Sequence, residues 1–409
     1  MSVAATSQNE IAHAVERLGS GPLCESKLVQ HVHPLFSRVL ARDEIYLANH
    51  SLGRPLDRTA SDITRFVDLW YSDMNEAWAA WIEETNLFRA NMATLIGLSR
   101  PDAIVPKVSA GQGLRAVLNA LPMDKPRIVA TRGEFDSIDF ILRIYERKSR
   151  IQITWVEPDE HGLFNVDQIN AAIDDVTDLV IASQVYYATG QILDPLDSVV
   201  AKAHQHGALA LIDMYHAAGV IPCRFETLNA DFGIGGSYKY TRGGPGAGWL
   251  AINPGKLDQP DLFTLDTGWF AKKETFAFSR GDDTAALAQG GDAWLESTPA
   301  PILVYQAKAG LELVLAIGVE RLRDYSLHQQ ELLRSFLTKA GVDVRDTGPH
   351  GAFLLVLDED APDLVQRLKT AGVNTDARLG CVRLCPDILN TQEELNQAAQ
   401  IISRVIGHK

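Results

Sequence analysis

Short apolar runs alternate with amphipathic stretches through the middle of the chain. The apolar runs predict buried strands at 126–131, 151–156, 178–183 and 208–213. Between them, apolar positions recur every three or four residues, which predicts helices over 135–148, 165–173 and 195–206. Continuous apolar strands that alternate with amphipathic helices are typical of a parallel sheet covered on both faces. The pattern therefore predicts an α/β fold with a mainly parallel sheet.

The flanking segments follow the helical period more closely. Residues 57–98 predict helix with Gly97 as its stop, and one long helix is expected to begin after Pro301. The C-terminal pattern then predicts strand 352–357, helix 361–371, strand 381–384 and helix 391–406. This last pattern predicts a smaller α+β domain.

The domain boundaries follow from where the alternation stops. Residues 255–300 are rich in Gly, Asp, Thr and Pro and are expected to form an excursion near an active site. We predict a large domain over 50–280. The smaller domain would combine an N-terminal arm, 1–49, with residues 281–409.

Composition and charge narrow the possible classes of protein. The chain has 409 residues, with 52 acidic side chains, 38 basic ones and a formal net charge of −14. Because Lys and Arg bind phosphate backbones, this balance argues against nucleic acid as the main partner. No apolar run approaches the roughly 20 residues that span a bilayer. The N-terminus carries acidic residues and lacks the apolar core of a secretory signal, so we expect a cytoplasmic protein.

The cysteines offer no framework for disulfides or for zinc. There are four of them, at Cys24, Cys223, Cys381 and Cys385, and none forms a CxxC pair. Structural zinc sites need closely spaced cysteine and histidine ligands. We therefore expect no metal site.

One acidic and one basic residue carry the most informative chemistry. Asp213 ends an apolar strand, and in an open α/β sheet ligands bind at the carboxyl ends of strands. Lys239 follows between two tyrosines, with glycines on both sides that allow a bulky group to approach the backbone closely. Pyridoxal phosphate (PLP) needs a lysine for its Schiff base and a carboxylate for its pyridine nitrogen. Lys239 and Asp213 fit these two roles.

Two further segments suit the remaining needs of PLP. Phe135 follows the first predicted strand of the alternation and could cover the ring. The stretch 109–121 places small residues, including Ala110 and Gly111, at the start of a helix. Backbone N–H groups at a helix start bind phosphate.

The segment 208–248 resembles the Schiff-base region of kynureninases, within the class V aminotransferase superfamily of fold-type I PLP enzymes. The matching residues read DMYH, beginning at Asp213, followed by ADFGIGGSYKYTRGGPGAG. The resemblance implies that Lys239 forms the Schiff base and that Asp213 pairs with the pyridinium nitrogen. It also implies that His216 lies beside the ring and that Tyr238 reaches the phosphate.

Five shorter motifs extend the resemblance over nearly the whole chain. They are YLANHSLG (46–53), SQVYYATGQ (183–191), GWF (268–270), STPAPIL (297–303) and VRLCPDILN (382–390). The resemblance implies that the first motif lines the substrate entrance, which suggests His50 and Ser51. Ser183 would take a phosphate-side or ring-side position, and Trp269 would approach the phosphate.

The last two motifs concern the neighbouring subunit and the substrate. Thr298 is expected to contact phosphate or substrate across the interface of a homodimer. Arg383 is expected to bind the substrate carboxylate, since a guanidinium group grips a planar carboxylate with two parallel hydrogen bonds. The expected partner is therefore a small amino acid.

The sequence departs from the family pattern at several positions. An isoleucine, Ile138, stands where the family has an aspartate, and Asp139 comes one residue late. Lys272 follows GWFA in place of the family's histidine motif, and Gln112 or Gly113 replaces an asparagine. The N-terminal motif also has an Asn-His pair where kynureninases have Gly-Asn.

The resemblance implies hydrolysis of L-kynurenine, or of 3-hydroxykynurenine, to an anthranilate and L-alanine. Tyr238 is the candidate acid–base group. The alternatives are a class V aminotransferase, an epimerase, or a C–S or C–N lyase acting on another amino acid, because the same lysine, aspartate and arginine serve all of these. A cysteine desulfurase would need a nucleophilic cysteine on a mobile loop, whereas Cys381 and Cys385 flank Arg383 on an apparent strand. A non-catalytic binding module is disfavoured by the presence of Lys239 and Asp213.

Overall fold

A computed structural model describes residues 3–277 and 285–407 of the chain. The α-helices are α1 Val3–Leu18, α2 Glu25–His31, α3 Ser37–Leu40, α4 Arg58–Asp73, α5 Ala77–Ile96, α6 Ala110–Leu118, α7 Asp136–Arg147, α8 Val166–Ala171, α9 Leu196–Gln205, α10 Phe225–Leu228, α11 Pro254–Leu257, α12 Ile302–Ile317, α13 Val319–Lys339, α14 Ala361–Thr370 and α15 Gln392–Gly407. The strands are β1 Ile45–Tyr46, β2 Ile104–Lys107, β3 Arg127–Thr131, β4 Gln152–Val156, β5 Leu179–Ser183, β6 Leu209–Asp213, β7 Phe232–Gly236, β8 Gly248–Ile252, β9 Leu354–Leu357, β10 Val373–Asn374, β11 Asp376–Arg378 and β12 Cys381–Leu384.

A seven-stranded sheet in the order β2-β8-β7-β6-β5-β3-β4 forms the centre of the molecule. β8 is antiparallel to both of its neighbours, and the other strands run in one direction. The predicted α/β class with a mainly parallel sheet is confirmed. All four predicted strands are present, as β3, β4, β5 and β6.

Three strands of this sheet were missing from the sequence prediction. β7 reads FGIGG and β2 reads IVPK, so glycine and proline weaken the apolar signal of both. β8 was hidden because it lies in the glycine-rich segment beside Lys239. Their place in the sheet was fixed by packing, since each of them is almost fully buried.

The helices before the sheet agree with the prediction for 57–98, with one interruption. α4 and α5 are separated by the 3-10 turn Met74–Glu76. α5 ends at Gly97, which adopts a left-handed conformation with φ 72°. Glycine reaches that conformation without a steric penalty, so the predicted stop at Gly97 is confirmed.

The prediction of one long helix after Pro301 was wrong. The structure has two helices, α12 and α13, bent by 86° at Gly318. Gly318 has φ 92°, outside the helical region, and thereby breaks the run of backbone hydrogen bonds. The apolar period continues across the break, which is why the pattern alone suggested one helix.

No single helix in 3–277 or 285–407 is both long and apolar enough to cross a bilayer. The bent pair α12 and α13 has the length and apolar composition of a membrane span only when the two helices are counted together.

The C-terminal unit pairs with the N-terminal segment. β9, β11 and β12 form an antiparallel three-stranded sheet in the order β11-β12-β9. β1 pairs in parallel with β10, and Ala48 bridges to Cys385. These contacts bring residues 45–48 onto the C-terminal third of the chain. The predicted division into 50–280 and 1–49 plus 281–409 stays a prediction, and its boundary at 280 lies outside the described residues.

Candidate active site

The sheet brings Asp213 and the lysine segment to one edge. Asp213 ends β6, and its register partner on β5 is Ser183. β7 lies beside β6 in parallel and ends at Gly236, three residues before Lys239. Because the carboxyl ends of parallel strands meet at one edge, the aspartate and the lysine face the same crevice. This is the edge at which the sequence predicted a ligand.

Lys239 is buried and its amine contacts a histidine. Lys239 Nζ lies 2.7 Å from His216 Nε2, and His216 Nδ1 lies 3.0 Å from the hydroxyl of Tyr240. Burial lowers the pKa of Lys239, although the nearby charge of Asp213 opposes the shift. Burial, with the charge of Lys239, also holds the pKa of His216 well below its usual range. A lysine with a lowered pKa has the free electron pair that Schiff-base formation requires.

Asp213 is a buried carboxylate with little compensation from the protein. The backbone N–H of Tyr215 donates to Asp213 Oδ1 at 2.8 Å, and this is the single hydrogen bond to the carboxylate within the described chain. Burial raises the pKa of Asp213, while this hydrogen bond and the charge of Lys239 lower it. A buried carboxylate is costly unless it meets a cation or donors. The pyridinium N–H of PLP is such a donor, so the site fits this cofactor.

Three aromatic rings surround the lysine amine. Lys239 Nζ lies 5.4 Å from the ring centre of Phe135, 4.5 Å from that of Tyr215 and 5.4 Å from that of Tyr238. Phe135 is held by an edge contact with Tyr187, at 5.3 Å between ring centres. The structure therefore places Phe135 and Tyr238, two site residues predicted from the sequence, beside Lys239. A flat ring bound to the amine would meet aromatic walls here.

Tyr215 is a member of this wall that sequence reasoning missed. Its hydroxyl lies over the backbone of Gly236, where an added Cβ would be 2.0 Å from the oxygen. Only glycine leaves room for the tyrosine at that position. The signal was present in the DMYH motif, in which Tyr215 comes two residues after Asp213.

Ser183 is placed beside Asp213, but its hydroxyl is occupied by the protein. Ser183 Oγ donates to Glu134 Oε2 at 2.7 Å, and Ser183 N donates to Glu134 Oε1 at 3.1 Å. Thr131 Oγ1 donates to the same Oε1 at 2.7 Å. Ser183 thus has only its oxygen lone pairs left for a ligand. Glu134 was also missed, although it directly precedes Phe135 in the sequence.

The start of α6 lies at the same edge, after β2. Ala110 and Gly111 form its first turn and are buried, and Ser109 Oγ accepts a hydrogen bond from the backbone N–H of Gln112. The side chain of Gln112 turns away to donate to Glu296 at 2.9 Å. The backbone N–H groups of this turn are suited to a phosphate, as the sequence indicated.

Trp269 and Thr298 are brought together by the structure. Trp269 Nε1 donates to Thr298 Oγ1 at 3.1 Å, and Thr298 is exposed. Thr298 lines a cavity of about 640 Å³ together with Phe270, Trp78 and Gln112. Contact of either residue with phosphate stays a prediction, as does the reach of Thr298 into a second subunit.

Arg383 is buried and already paired with an aspartate. Its Nε donates to Asp376 Oδ1 at 2.8 Å, and its Nη2 donates to Oδ2 at 2.5 Å. Nη1 donates to the carbonyl of Tyr187 at 2.5 Å. Burial alone would raise the pKa of Asp376, but His50 and Arg383 hold it far below its ordinary value. A guanidinium group has five N–H donors, so one N–H on each Nη remains for a substrate carboxylate.

His50 is hydrogen-bonded to Asp376 of this ion pair and does not face an open entrance. His50 Nε2 lies 2.6 Å from Asp376 Oδ1, and the imidazole is fully buried against Phe353. Burial and the charge of Arg383 lower the pKa of His50 to about 4, which keeps it neutral. Ser51 does not join this cluster and is half-exposed. It lines a separate cavity of about 430 Å³, which Asp376 also lines. The structure therefore separates the two predicted entrance residues.

The N-terminal motif also supports the lysine loop directly. Gly53 N donates to the carbonyl of Tyr238 at 2.8 Å. A Cβ on Gly53 would lie 1.9 Å from the carbonyl oxygen of Lys239. Asp387, which pairs with Arg54 at 2.5 Å and Arg242 at 2.6 Å, ties this contact to the C-terminal unit. The motif thus has a structural reason for its terminal glycine.

Two of the positions that depart from the family pattern, Ile138 and Asp139, lie on α7. Ile138 is fully buried in the core on α7. Asp139 forms an ion pair with Arg143 at 2.7 Å, one turn along the same helix. Cys381 and Cys385 are buried, as expected for packing residues.

The family relationship is shown by comparison with known proteins. The class-V aminotransferase family model matches residues 64–347. Kynureninase of Bacillus anthracis is 28% identical over 390 residues, which cover 88% of this chain and 88% of that protein. The uncharacterized aminotransferase YcbU of Bacillus subtilis (strain 168) is 28% identical over 364 residues, which cover 88% of this chain and 93% of that protein.

Solved structures show the fold. The cystine C–S lyase C-DES, in complex with its product cysteine persulfide, has a TM-score of 0.80 at 20% identity and covers 90% of this chain and 98% of its own. The cysteine desulfurase CsdA from Escherichia coli has a TM-score of 0.79 at 17% identity, with coverage of 93% and 98%. These are fold-type I PLP enzymes, and the expected fold and cofactor are confirmed. The chain, with a buried lysine and aspartate that fit pyridoxal 5'-phosphate, belongs to the class V aminotransferase family.

Proposed function

We propose that this enzyme hydrolyses L-kynurenine, or 3-hydroxykynurenine, to the corresponding anthranilate and L-alanine. The observation that carries the proposal is the cluster of Lys239, Asp213 and Tyr238 at one sheet edge, in a chain whose curated relatives include kynureninases at 28% identity. Arg383 supports an amino-acid substrate, because it offers two unused N–H groups beside this cluster.

Different residues of this chain would each contact a different part of the PLP molecule. Lys239 would hold it covalently, and Asp213 would keep its pyridine nitrogen protonated. Phe135 would cover a ring face, and the N–H groups of Ala110 and Gly111 would take the phosphate. When bound, PLP supplies an electron sink for the pair left behind when a bond to Cα breaks.

Lys239 is suited to move protons at Cα. Its lowered pKa makes it a base near neutral pH, and His216, 2.7 Å away, gives the amine a hydrogen-bonding partner that is itself neutral. Arg383 would orient the substrate through its carboxylate, with Asp376 and the Tyr187 carbonyl fixing the guanidinium plane.

Tyr238 is suited to the acid role in the hydrolysis. Burial raises the pKa of Tyr238, so the phenol stays protonated at neutral pH. In the cleavage, the oxygen of water bonds to the carbonyl carbon Cγ, and the Cβ–Cγ bond breaks. Cγ leaves as the carboxylate of anthranilate, and Cβ keeps the electron pair and takes a proton to become the methyl group of alanine. The phenol is a donor for that proton.

The test is a direct assay of purified, PLP-loaded enzyme with L-kynurenine. We expect anthranilate, detected by fluorescence, and alanine to form in equal amounts when no 2-oxo acid is added to the assay. Lys239→Ala is the control and should release neither product. A wild-type enzyme that leaves kynurenine and 3-hydroxykynurenine intact would overturn the proposal.

A second candidate is transamination or another class V reaction on a different amino acid. It is favoured by the equal identity to the aminotransferase YcbU, and by Ile138 and Lys272 at positions where kynureninases carry other residues. A panel of amino acids, each with and without pyruvate or 2-oxoglutarate, separates the possibilities. Turnover that requires the 2-oxo acid indicates transamination. Pyruvate formed without it indicates β-elimination, and loss of optical activity indicates epimerisation.

A further inference from the structure

Behind Asp213 lies a second buried carboxylate, that of Glu134. Its side chain is only 2% exposed and accepts three hydrogen bonds, from Thr131 Oγ1, Ser183 N and Ser183 Oγ. Thr131 ends β3 and Ser183 ends β5, so Glu134 connects the ends of two neighbouring strands. Within the described chain it forms no ion pair with a lysine, arginine or histidine.

Ser183 separates the two carboxylates. It is the register partner of Asp213 in the parallel pair β5 and β6, and such partners point to the same face of a sheet. The titratable groups that face Glu134 are Asp213 from β6 and Tyr186 from the loop after β5. Lys239 and the hydrogen bond from Tyr215 act on Asp213 from the other side.

The surroundings of Glu134 decide its charge. Burial raises the pKa of Glu134 to about 7, and the charge of Asp213 adds to the shift, while the hydrogen bonds from Thr131 and Ser183 oppose it. Two carboxylates this close cannot both ionise easily without a cation. A cation on the far side of Asp213 would favour ionisation of both.

We propose that Glu134 is a positioning residue whose negative charge, acting across Ser183 on Asp213, raises the proton affinity of the cationic groups of the bound cofactor. The inference rests on the PLP site and is independent of which amino acid the enzyme consumes. Glu134 ties the end of β3 to the end of β5, the strand beside Asp213, and adds a second unit of negative charge behind that aspartate. In a buried setting this charge is poorly screened and acts over several ångströms.

The test titrates the visible absorbance of the PLP–lysine Schiff base with pH, in the absence of substrate. Glu134→Gln keeps the size of the side chain and one of its two acceptor oxygens but removes the charge. We expect the midpoint for loss of the proton from the Schiff base to fall by roughly half to one pH unit, because a buried neighbouring negative charge has been removed. Glu134→Asp keeps the charge, so its midpoint should stay close to that of the wild type.

Tyr186→Phe is the structural control. Tyr186 also faces Glu134, and this change removes a buried hydroxyl but neither a charge nor a hydrogen bond to Glu134, so the midpoint should stay near the wild-type value. An unchanged midpoint in Glu134→Gln, or an equal shift in Tyr186→Phe, would overturn the proposal. Since no substrate is used, failure here is distinct from failure of the kynurenine assay, which reads product formation.

Discussion

Lys239 owes its chemistry to burial more than to any one contact. Among the residues that the structure describes, its amine has one hydrogen-bonding neighbour, His216, and burial away from water lowers its pKa. Lys239→Ala should therefore abolish the Schiff-base absorbance of the purified enzyme while leaving PLP loosely bound. Lys239→Arg, which keeps a cation of similar length, should also lack the band. A band of full strength in either variant would contradict the assignment.

Arg383 carries a second residue-scale prediction. The planar guanidinium group of Arg383 pairs with Asp376 and still has two N–H groups for a substrate carboxylate. A lysine amine cannot reproduce this geometry. Arg383→Lys should raise KM for the amino-acid substrate by about tenfold or more, about 1.4 kcal/mol of binding, with a smaller change in kcat. Arg378, 41% exposed and 3.7 Å from Asp376, offers a matched control. Arg378→Lys should leave KM within about twofold.

The pKa of Glu134 predicts a pH dependence of stability for the cofactor-free protein. An unfolded glutamate has a pKa of about 4.3, and burial raises that of Glu134 to about 7 in the folded state. The folded protein then binds the proton more tightly, so its contribution to stability is complete below about pH 4 and is lost as the pH rises through 7. Urea unfolding at pH 5 and pH 8 should show a smaller pH-dependent loss in Glu134→Gln than in the wild type. Equal losses would contradict this assignment.

At the scale of elements, the N-terminal motif and the lysine loop depend on close backbone contact. A Cβ at Gly53 would collide with the carbonyl oxygen of Lys239, which belongs to rigid backbone. Gly53→Ala should lower the free energy of unfolding by about 2 kcal/mol, as overpacking does, and should weaken PLP retention. Gly21, which has nothing within 4 Å of an added Cβ, provides the control. If Gly21→Ala lost as much stability as Gly53→Ala, the contact would not explain the effect.

The elements also show where local pattern is sufficient. β3, β5 and β6 were predicted correctly because their apolar runs are buried in the centre of the sheet. β4 was also predicted correctly, although it lies at the sheet edge and most of its residues are exposed or half-buried. The glycines of β7 and the Pro106 of β2 weakened the same signal. The break at Gly318 was missed because the apolar period is the same on both sides of it.

At the scale of the molecule, the resemblance predicts a homodimer with shared active sites. Trp269 and Thr298 contact each other on an exposed part of the chain, where a second subunit could reach them. Sedimentation equilibrium of the PLP-loaded enzyme should give about twice the chain mass, and Thr298→Ala should increase the dissociation of PLP. A fully active monomer would contradict the prediction.

The sequence by itself determined the α/β class and singled out Lys239 and Asp213 as candidates, because apolar period and strand-end placement are local properties of the chain. The tertiary structure decided which partner each buried polar group meets. Ser183 meets Glu134, Gln112 meets Glu296 and Arg383 meets Asp376, at separations of 49, 184 and 7 residues along the chain. A buried donor takes the acceptor that is nearest in space, and that distance is set only when the strands and loops have packed.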